Sequence, residues 1–141
     1  MLKSKHLIAL GFDFGMKRIG VAIGQSVTQT ANPLTILQAI DGIPNWEEID
    51  KLIHVWNINV LIVGLPCNMD GTEQDITLNT KKFANRLKQK FKLPLYFVDE
   101  RLTTQEAIQE LKSQKKLKER SEIDSYAAKI ILESWLKDQG S

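Results

Sequence analysis

Three places in the chain put a carboxylate where chemistry needs one. Asp13 ends an apolar run from Leu7 to Phe12 and stands between Phe12 and Phe14. Asp99 and Glu100 follow the run PLYFV, residues 94–98. Asp124 lies three residues after Ser121, beside the apolar face of a helical pattern. In open α/β sheets, ligands gather beyond the carboxyl ends of parallel strands. If the strands before Asp13 and Asp99 run parallel, their acids face one crevice. Convergent carboxylates repel, and a hard divalent cation relieves them. Mg²⁺ favours a few carboxylates together with retained waters and phosphate oxygens. Two such ions about 4 Å apart activate a water and stabilise the leaving oxygen in phosphodiester cleavage. A buried strand is rigid, so its end aims a carboxylate with little freedom to lose.

Each acid also has a plainer role. Asp13 can be a turn residue or a helix cap. Asp99 or Glu100 can pair with Arg101. Asp124 stands where the capping partner of Ser121 belongs, and an acid there suits the helix dipole. The constellation carries more weight than any single member.

The elements that must position these acids follow from periodicity. Leu7–Phe12 reads as a strand buried on both faces, Gly15–Arg18 as a turn, and Ile19–Gly24 as the hairpin partner. Pro33–Ile40 reads as a third strand. Asn45 caps a helix carrying Trp46, Ile49, Ile53 and Trp56 at helical spacing. Val60–Val63 is a fourth strand, ending at Gly64-Leu65-Pro66. Asp70-Gly71 marks a turn, and Thr72 with Asp75 predicts a capping box before a helix buried through Ile76, Phe83 and Leu87. Pro94–Val98 is a fifth strand. Thr103 with Glu106 opens a short helix, a basic stretch runs from Lys112 to Arg120, and Ser121 opens a last helix with Ile123, Tyr126, Ala127, Ile130 and Ile131 on its apolar face. The order β-β-β-α-β-α-β-α-α predicts an α/β sheet of mixed strand direction, with right-handed crossovers in its βαβ units.

The 141 residues suffice for one domain, 1–141, and a chain of this size needs no disulfide or metal staple. Hydrophobic residues are 43% and charged residues 26%, the balance of a soluble globular protein. A net charge of +2 argues for no particular partner by itself. A single cysteine, Cys67, allows no internal disulfide and fits a reducing compartment. The start MLKSKHLIALGFD imitates a signal peptide, but Asp13 interrupts its apolar run and no small-residue cleavage site follows. No apolar segment approaches membrane-spanning length. These features predict a cytoplasmic protein with no membrane partner.

Four blocks, GFDFGMKRIGVAIG, VGLPCNMDGTEQ, VDERLTT and IDSYAA, resemble in that order the signature blocks of the YqgF/RuvX family of pre-16S rRNA nucleases or Holliday-junction resolvases. The resemblance covers nearly the whole chain. It implies a ribonuclease H-like fold, a five-stranded mixed sheet of order 3-2-1-4-5 with helices on both faces. It also implies a nuclease using Mg²⁺, or Mn²⁺, on structured RNA or DNA. Carried over by motif, the catalytic and metal-holding acids are Asp13, Glu100 and Asp124. Strand alternation adds that only one of Asp99 and Glu100 can point inward. Many resolvases of this fold take an acid from the end of the fourth strand, which here ends VGLP with none, so Glu100 must reach across from the fifth.

Around these acids stand candidate phosphate contacts. Lys17 and Arg18 occupy the turn beside Asp13, where a solvated turn is the alternative. Arg101 can hold a phosphate or pair with Asp99. Asn68, in the polar loop with Asp70, Gly71 and Thr72, precedes a helix start whose N–H groups can receive a phosphate. Lys115, Lys116 and Lys118 belong to the basic stretch 112–120, which can neutralise several phosphates or remain a solvated loop. His6 precedes the first strand and His54 falls on a helix away from the carboxylate crevice, so neither is expected to catalyse, and Cys67 has no histidine or partner cysteine to make it a nucleophile. Trp46, Trp56 and Trp135 are expected to pack.

Two functions compete with a metal-dependent endonuclease. The GxDxG hairpin is shared with actin-like ATPases, but those need two such domains, and the chain has no GxxxxGK[ST] loop. A non-catalytic RNA-binding or ribosome-assembly adaptor would share the core and the basic loop. For the nuclease, the predicted partners are precursor rRNA, then branched DNA, with ribosomal particles as a further partner, acting as monomer or homodimer.

Overall fold

Alternation of apolar residues builds both layers of the core around one twisted sheet. The computed structural model describes residues 6–66, 70–100 and 120–139, and side chains in the last segment from Ser125 onward. Strands β1 (Ile8–Asp13) and β2 (Arg18–Gln25) form an antiparallel hairpin, and β3 (Thr30–Ile40) continues the meander. A two-residue strand β4 (Ile43–Pro44) follows, then helix α1 (Trp46–Val55), β5 (Val60–Leu65), helix α2 (Asp75–Phe91), β6 (Leu95–Asp99) and helix α3 (Arg120–Gln139). The sheet order is β4-β3-β2-β1-β5-β6. β5 runs parallel to β1, and β6 parallel to β5. The mixed sheet is thus the predicted one, with Asp13 and Asp99 at the carboxyl ends of two parallel strands that flank β5.

The structure has six strands where the sequence predicts five. Asp41 and Gly42 both adopt positive φ, 52° and 80°. That geometry closes a tight hairpin and lets Ile43 and Pro44 pair back onto Ile40 and Ala39. Two residues carry too little alternation to be seen as a strand. β3 also begins at Thr30, three residues before the predicted Pro33. The ladder with β2 is irregular between Val21 and Ala22, where Ala22 pairs with Pro33. A bulge is where a strand tolerates a residue without an N–H.

One face of the sheet is covered by α1 and α2, the other by α3. Leu10, Phe12, Val21, Leu61 and Val63 pack with Ile49, Phe83 and Leu87. Ala9, Ala22, Val60 and Ile62 pack with Ala128, Ile131, Leu132, Trp135 and Leu136. Neighbouring residues of one strand alternate between the two clusters, as the pleat requires. The floor under α3 is made of small residues, so the helix lies close: a methyl group at Gly11 would stand 2.9 Å from Leu132 Cβ. The stripe α3 buries is therefore Ala127, Ala128, Ile131, Leu132, Trp135 and Leu136. The predicted stripe is displaced: Tyr126 and Ile130 are only half-buried. Their helical spacing is sound, but the close approach selects the side that carries the alanines.

The helix starts show where local signals hold and where they yield. Asn45 caps α1, its side chain accepting from Glu47 N–H at 3.0 Å. The predicted capping box of Thr72 and Asp75 is not the one formed. Gln74 is the N-cap of α2, and its N–H donates to the hydroxyl of Thr77 at 3.0 Å. That buried hydroxyl also donates to the Pro66 carbonyl and ties the end of β5 to α2. Thr72 instead binds the Asp70 carboxylate through its N–H at 2.9 Å and its hydroxyl at 2.7 Å. With its hydroxyl committed to Asp70, Thr72 leaves the capping box to Gln74 and Thr77. The short helix predicted from Thr103 lies outside the described residues.

Candidate active site

The direction of each acid follows from its strand. On β1, Ala9 and Gly11 face α3, so Asp13, two residues on, faces the same side at the strand end. On β6, Val98 packs in the α3 cluster and Tyr96 stacks on Trp135 with ring centroids 5.5 Å apart. Parity then sends Glu100 to the α3 face, with Phe97 and Asp99 on the other. Glu100 thus shares a face with Asp13, and Asp99 does not.

Gly64 lies between them on β5, paired with Val98 of β6 and one residue beyond the Phe12–Val63 pair. A methyl group added there would stand 2.8 Å from Glu100 Oε2 and 2.5 Å from Ile131 Cδ1. The Glu100 carboxylate therefore occupies the space that a side chain of β5 would fill. The missing acid of the fourth predicted strand and the glycine in its place are one arrangement: Gly64 leaves room for Glu100 to lean across β5 toward β1. Gly64→Ala is expected to displace that carboxylate and lower the cleavage rate at least about tenfold, with a stability loss of about 1–3 kcal/mol. Steady-state cleavage and urea unfolding of the variant check both, and unchanged cleavage would remove Gly64 from the site.

The environment of Glu100 is costly for a charge. Burial, and then the negative charge of Asp99, push its carboxyl up from 4.5 to about 7. Hard oxygen donors, an anion held out of water and a second carboxylate on the same face suit a divalent cation such as Mg²⁺. Among the described residues no three metal-binding side chains converge. Asp124 is in the first turns of α3, seven residues or two helical turns before Ile131, and its side chain lies outside the described residues.

The candidate phosphate contacts divide in the same way. Lys17 is exposed in the β1–β2 turn and Arg18 is half-buried at the start of β2. The turn is pinned to β3: the Lys17 carbonyl accepts from Ala39 N–H at 2.9 Å and the Met16 carbonyl from Gly42 N–H at 2.8 Å. The backbone that carries both cations is therefore held beside the end of β1. Asn68, Arg101, Lys115, Lys116 and Lys118 lie outside the described residues, as does Cys67. His6 contacts Gln25 and His54 contacts Asp50, both on the surface. Trp135 is buried and Trp46 stacks on Phe83 at 6.0 Å, whereas Trp56 is 44% exposed, at the end of the sheet opposite the acids.

One basic feature is not among the predicted contacts. Beyond Asp75, α2 and its cap carry Lys81, Lys82, Arg86, Lys88, Lys90 and Lys92, all exposed, and no acid occurs from 76 to 98. The stretch 112–120 is thus one of two basic clusters. The signal was present in the sequence, but the cations are interleaved with core residues and read as an ordinary amphipathic helix.

A hairpin meander, two parallel strands added on one side and helices on both faces define the ribonuclease H-like class. In solved structures the chain is similar to Thermus thermophilus RuvC bound to a Holliday junction substrate, with TM-score 0.56, 13% identity and 96% of each chain covered. It is also similar to the fowlpox virus resolvase bound to Holliday junction DNA, with TM-score 0.52, 14% identity, and 94% of this chain and 98% of that one covered. Among sequences, a Coxiella burnetii protein named "Putative pre-16S rRNA nuclease" is 55% identical over 138 residues, 98% of each chain. A protein of the same name from Aeromonas hydrophila is 50% identical over 132 residues, 92% of this chain and 94% of that one. The profile of the family described as RuvX, Holliday junction resolvase, matches residues 7–138. The chain belongs to the RuvX family.

Proposed function

We propose that this single domain is a phosphodiester-cleaving nuclease whose Asp13, Glu100 and Asp124 hold a divalent cation, Mg²⁺ or Mn²⁺, and whose substrate is the precursor of small-subunit rRNA near its 5′ end. The observation that carries it is the Glu100 carboxylate leaning over Gly64 on the face of Asp13. An anion buried at that cost fits a site that a cation completes. The names of the Coxiella and Aeromonas relatives support the RNA substrate.

The work of the chain's own residues follows. Rigid β1 and β6 hold Asp13 and Glu100 at one end of the sheet, so little ordering is left for the reacting state. Lys17 and Arg18 on the pinned turn hold a phosphate of the strand to be cut. Burial around Glu100 keeps water scarce, which strengthens each electrostatic contact. When bound, the cation supplies Lewis acidity to the phosphoryl oxygens and an acidified water, giving a 5′-phosphate and a 3′-hydroxyl. The nuclease works in the cytoplasm, as monomer or homodimer, near ribosomal particles.

Branched DNA is the second substrate to be offered, because RuvC and the fowlpox resolvase were captured on Holliday junctions. The test incubates the full chain with a precursor rRNA 5′ segment and with a four-way DNA junction, each with Mg²⁺ and with chelator. Cleavage of the RNA with Mg²⁺ alone is expected. Preferential junction cutting would move the substrate to DNA, and binding without cleavage of either would leave an adaptor.

A further inference from the structure

The basic helix α2 borders a cleft on the other face of the sheet from the acids. Lys81, Ala84, Asn85 and Lys88 line one wall, and Leu95 and Phe97 of β6 line the other, around a volume of about 330 Å³. The helix positions are spaced i, i+3, i+4 and i+7, so they form one continuous edge. β6 is the last strand of the sheet, and Phe97 on it is 44% exposed. A half-exposed phenylalanine at the foot of a groove edged by lysines is costly in water. It suits a ligand with an aromatic face and negative charge. Lys81 is shared with Glu73, and Lys90 lies 5.3 Å from the Trp46 ring, while Lys88 and Asn85 face the cleft.

We infer that this cleft binds single-stranded nucleic acid flanking the scissile bond, with a base stacked on Phe97 and phosphates on Lys81 and Lys88. The inference rests on the nuclease reading and names a second contact for the same substrate. Phe97 on β6 lies three residues before Glu100, which follows the end of that strand, about 10 Å along the chain. α2 begins where β5 ends, at the end of the sheet that carries the acids, and runs back beside β6, so its lysines lead away from that end along the cleft. A strand leaving that end can turn over the β6 edge and follow the lysines. Base stacking on an aromatic ring tolerates any sequence, and lysines read only the backbone. The cleft would therefore add affinity and direction rather than sequence choice.

The experiment measures anisotropy of a labelled unstructured oligouridine with the full chain in chelator, across a salt series, for wild type, Lys88→Glu, Phe97→Ala, Phe97→Tyr and Lys51→Glu. Lys51 is exposed on α1 and its reversal changes net charge equally. Lys88→Glu is expected to weaken binding about tenfold and to flatten the log–log salt slope by about 0.7 or more. Phe97→Ala is expected to weaken it at least about fivefold with an unchanged slope, while Phe97→Tyr keeps the ring and the affinity. Lys51→Glu is expected to stay within about twofold. Equal weakening by Lys51→Glu, or no change in Lys88→Glu and Phe97→Ala, overturns the cleft. Because the binding assay is run in chelator, a wild type that binds in this pattern yet cuts neither RNA nor junction DNA once Mg²⁺ is supplied would sink the nuclease proposal and leave the cleft standing.

Discussion

Asp13→Asn is expected to reduce cleavage at least about a hundredfold while leaving the fold and RNA binding intact. The substitution keeps the size and one carbonyl oxygen but removes the negative charge. Asp13 sits at the rigid end of β1, on the face that Glu100 also occupies, so in the proposed site loss of its charge would weaken cation binding directly. It does not disturb the core, because Phe12 before it carries the packing and stays buried. Removing one of two neighbouring anions should if anything raise affinity for RNA in chelator. Single-turnover cleavage, thermal melting and anisotropy together make the test specific. A variant that cuts at the wild-type rate refutes the role of Asp13, and one that melts far below wild type shows a structural role instead.

Glu100→Gln is expected to separate stability from activity with opposite signs. The wild-type carboxyl is raised from 4.5 to about 7 by burial and by the charge of Asp99. A folded-state value above the unfolded one means that the native protein holds this proton more tightly. The stabilisation is complete below about pH 4.5 and is lost as the pH climbs through about 7. At about 1.4 kcal/mol per pH unit the gap is worth about 3 kcal/mol. At pH 8 in chelator, glutamine avoids that cost, and the variant should melt at least about 5 °C above wild type. At pH 4.5 the two should nearly coincide. Saturating Mg²⁺ should reverse the order at pH 8, because only the carboxylate is stabilised by the ion, and the variant should not cut RNA. A variant less stable than wild type at pH 8 in chelator would show that Glu100 is held by native partners rather than strained for a cation. This is the trade of stability for function expected where a site keeps an uncompensated charge.

Much of this arrangement is legible in the chain. The runs at 7–12 and 60–63 are apolar without interruption, as strands buried on both faces require, and 94–98 reads the same way although it forms the half-exposed edge strand β6. Asn45 announces α1 because a capping side chain acts within its own turn. Acids directly after such runs fall at strand ends by construction. Local signals fail where a distant group competes for the same atoms. The capping box of α2 forms between Gln74 and Thr77 because the Thr72 hydroxyl is bound to Asp70 and the Thr77 hydroxyl reaches the Pro66 carbonyl. The hairpin at Asp41-Gly42 turns a two-residue segment into β4.

What the sequence by itself determined is the five long strands, the acids at their ends and the rule that Asp99 and Glu100 face opposite ways, because side-chain alternation and burial are written in neighbouring residues. Only the tertiary structure decided which of the two faces Asp13, since that depends on α3 and not α2 covering the Val98 side. It also decided that Gly64 is the gap Glu100 fills and that the lysines of α2 border an exposed Phe97. These are meetings between residues 30 or more positions apart, or on elements whose relative placement no local pattern encodes, and close packing of the sheet against its helices is what fixes them.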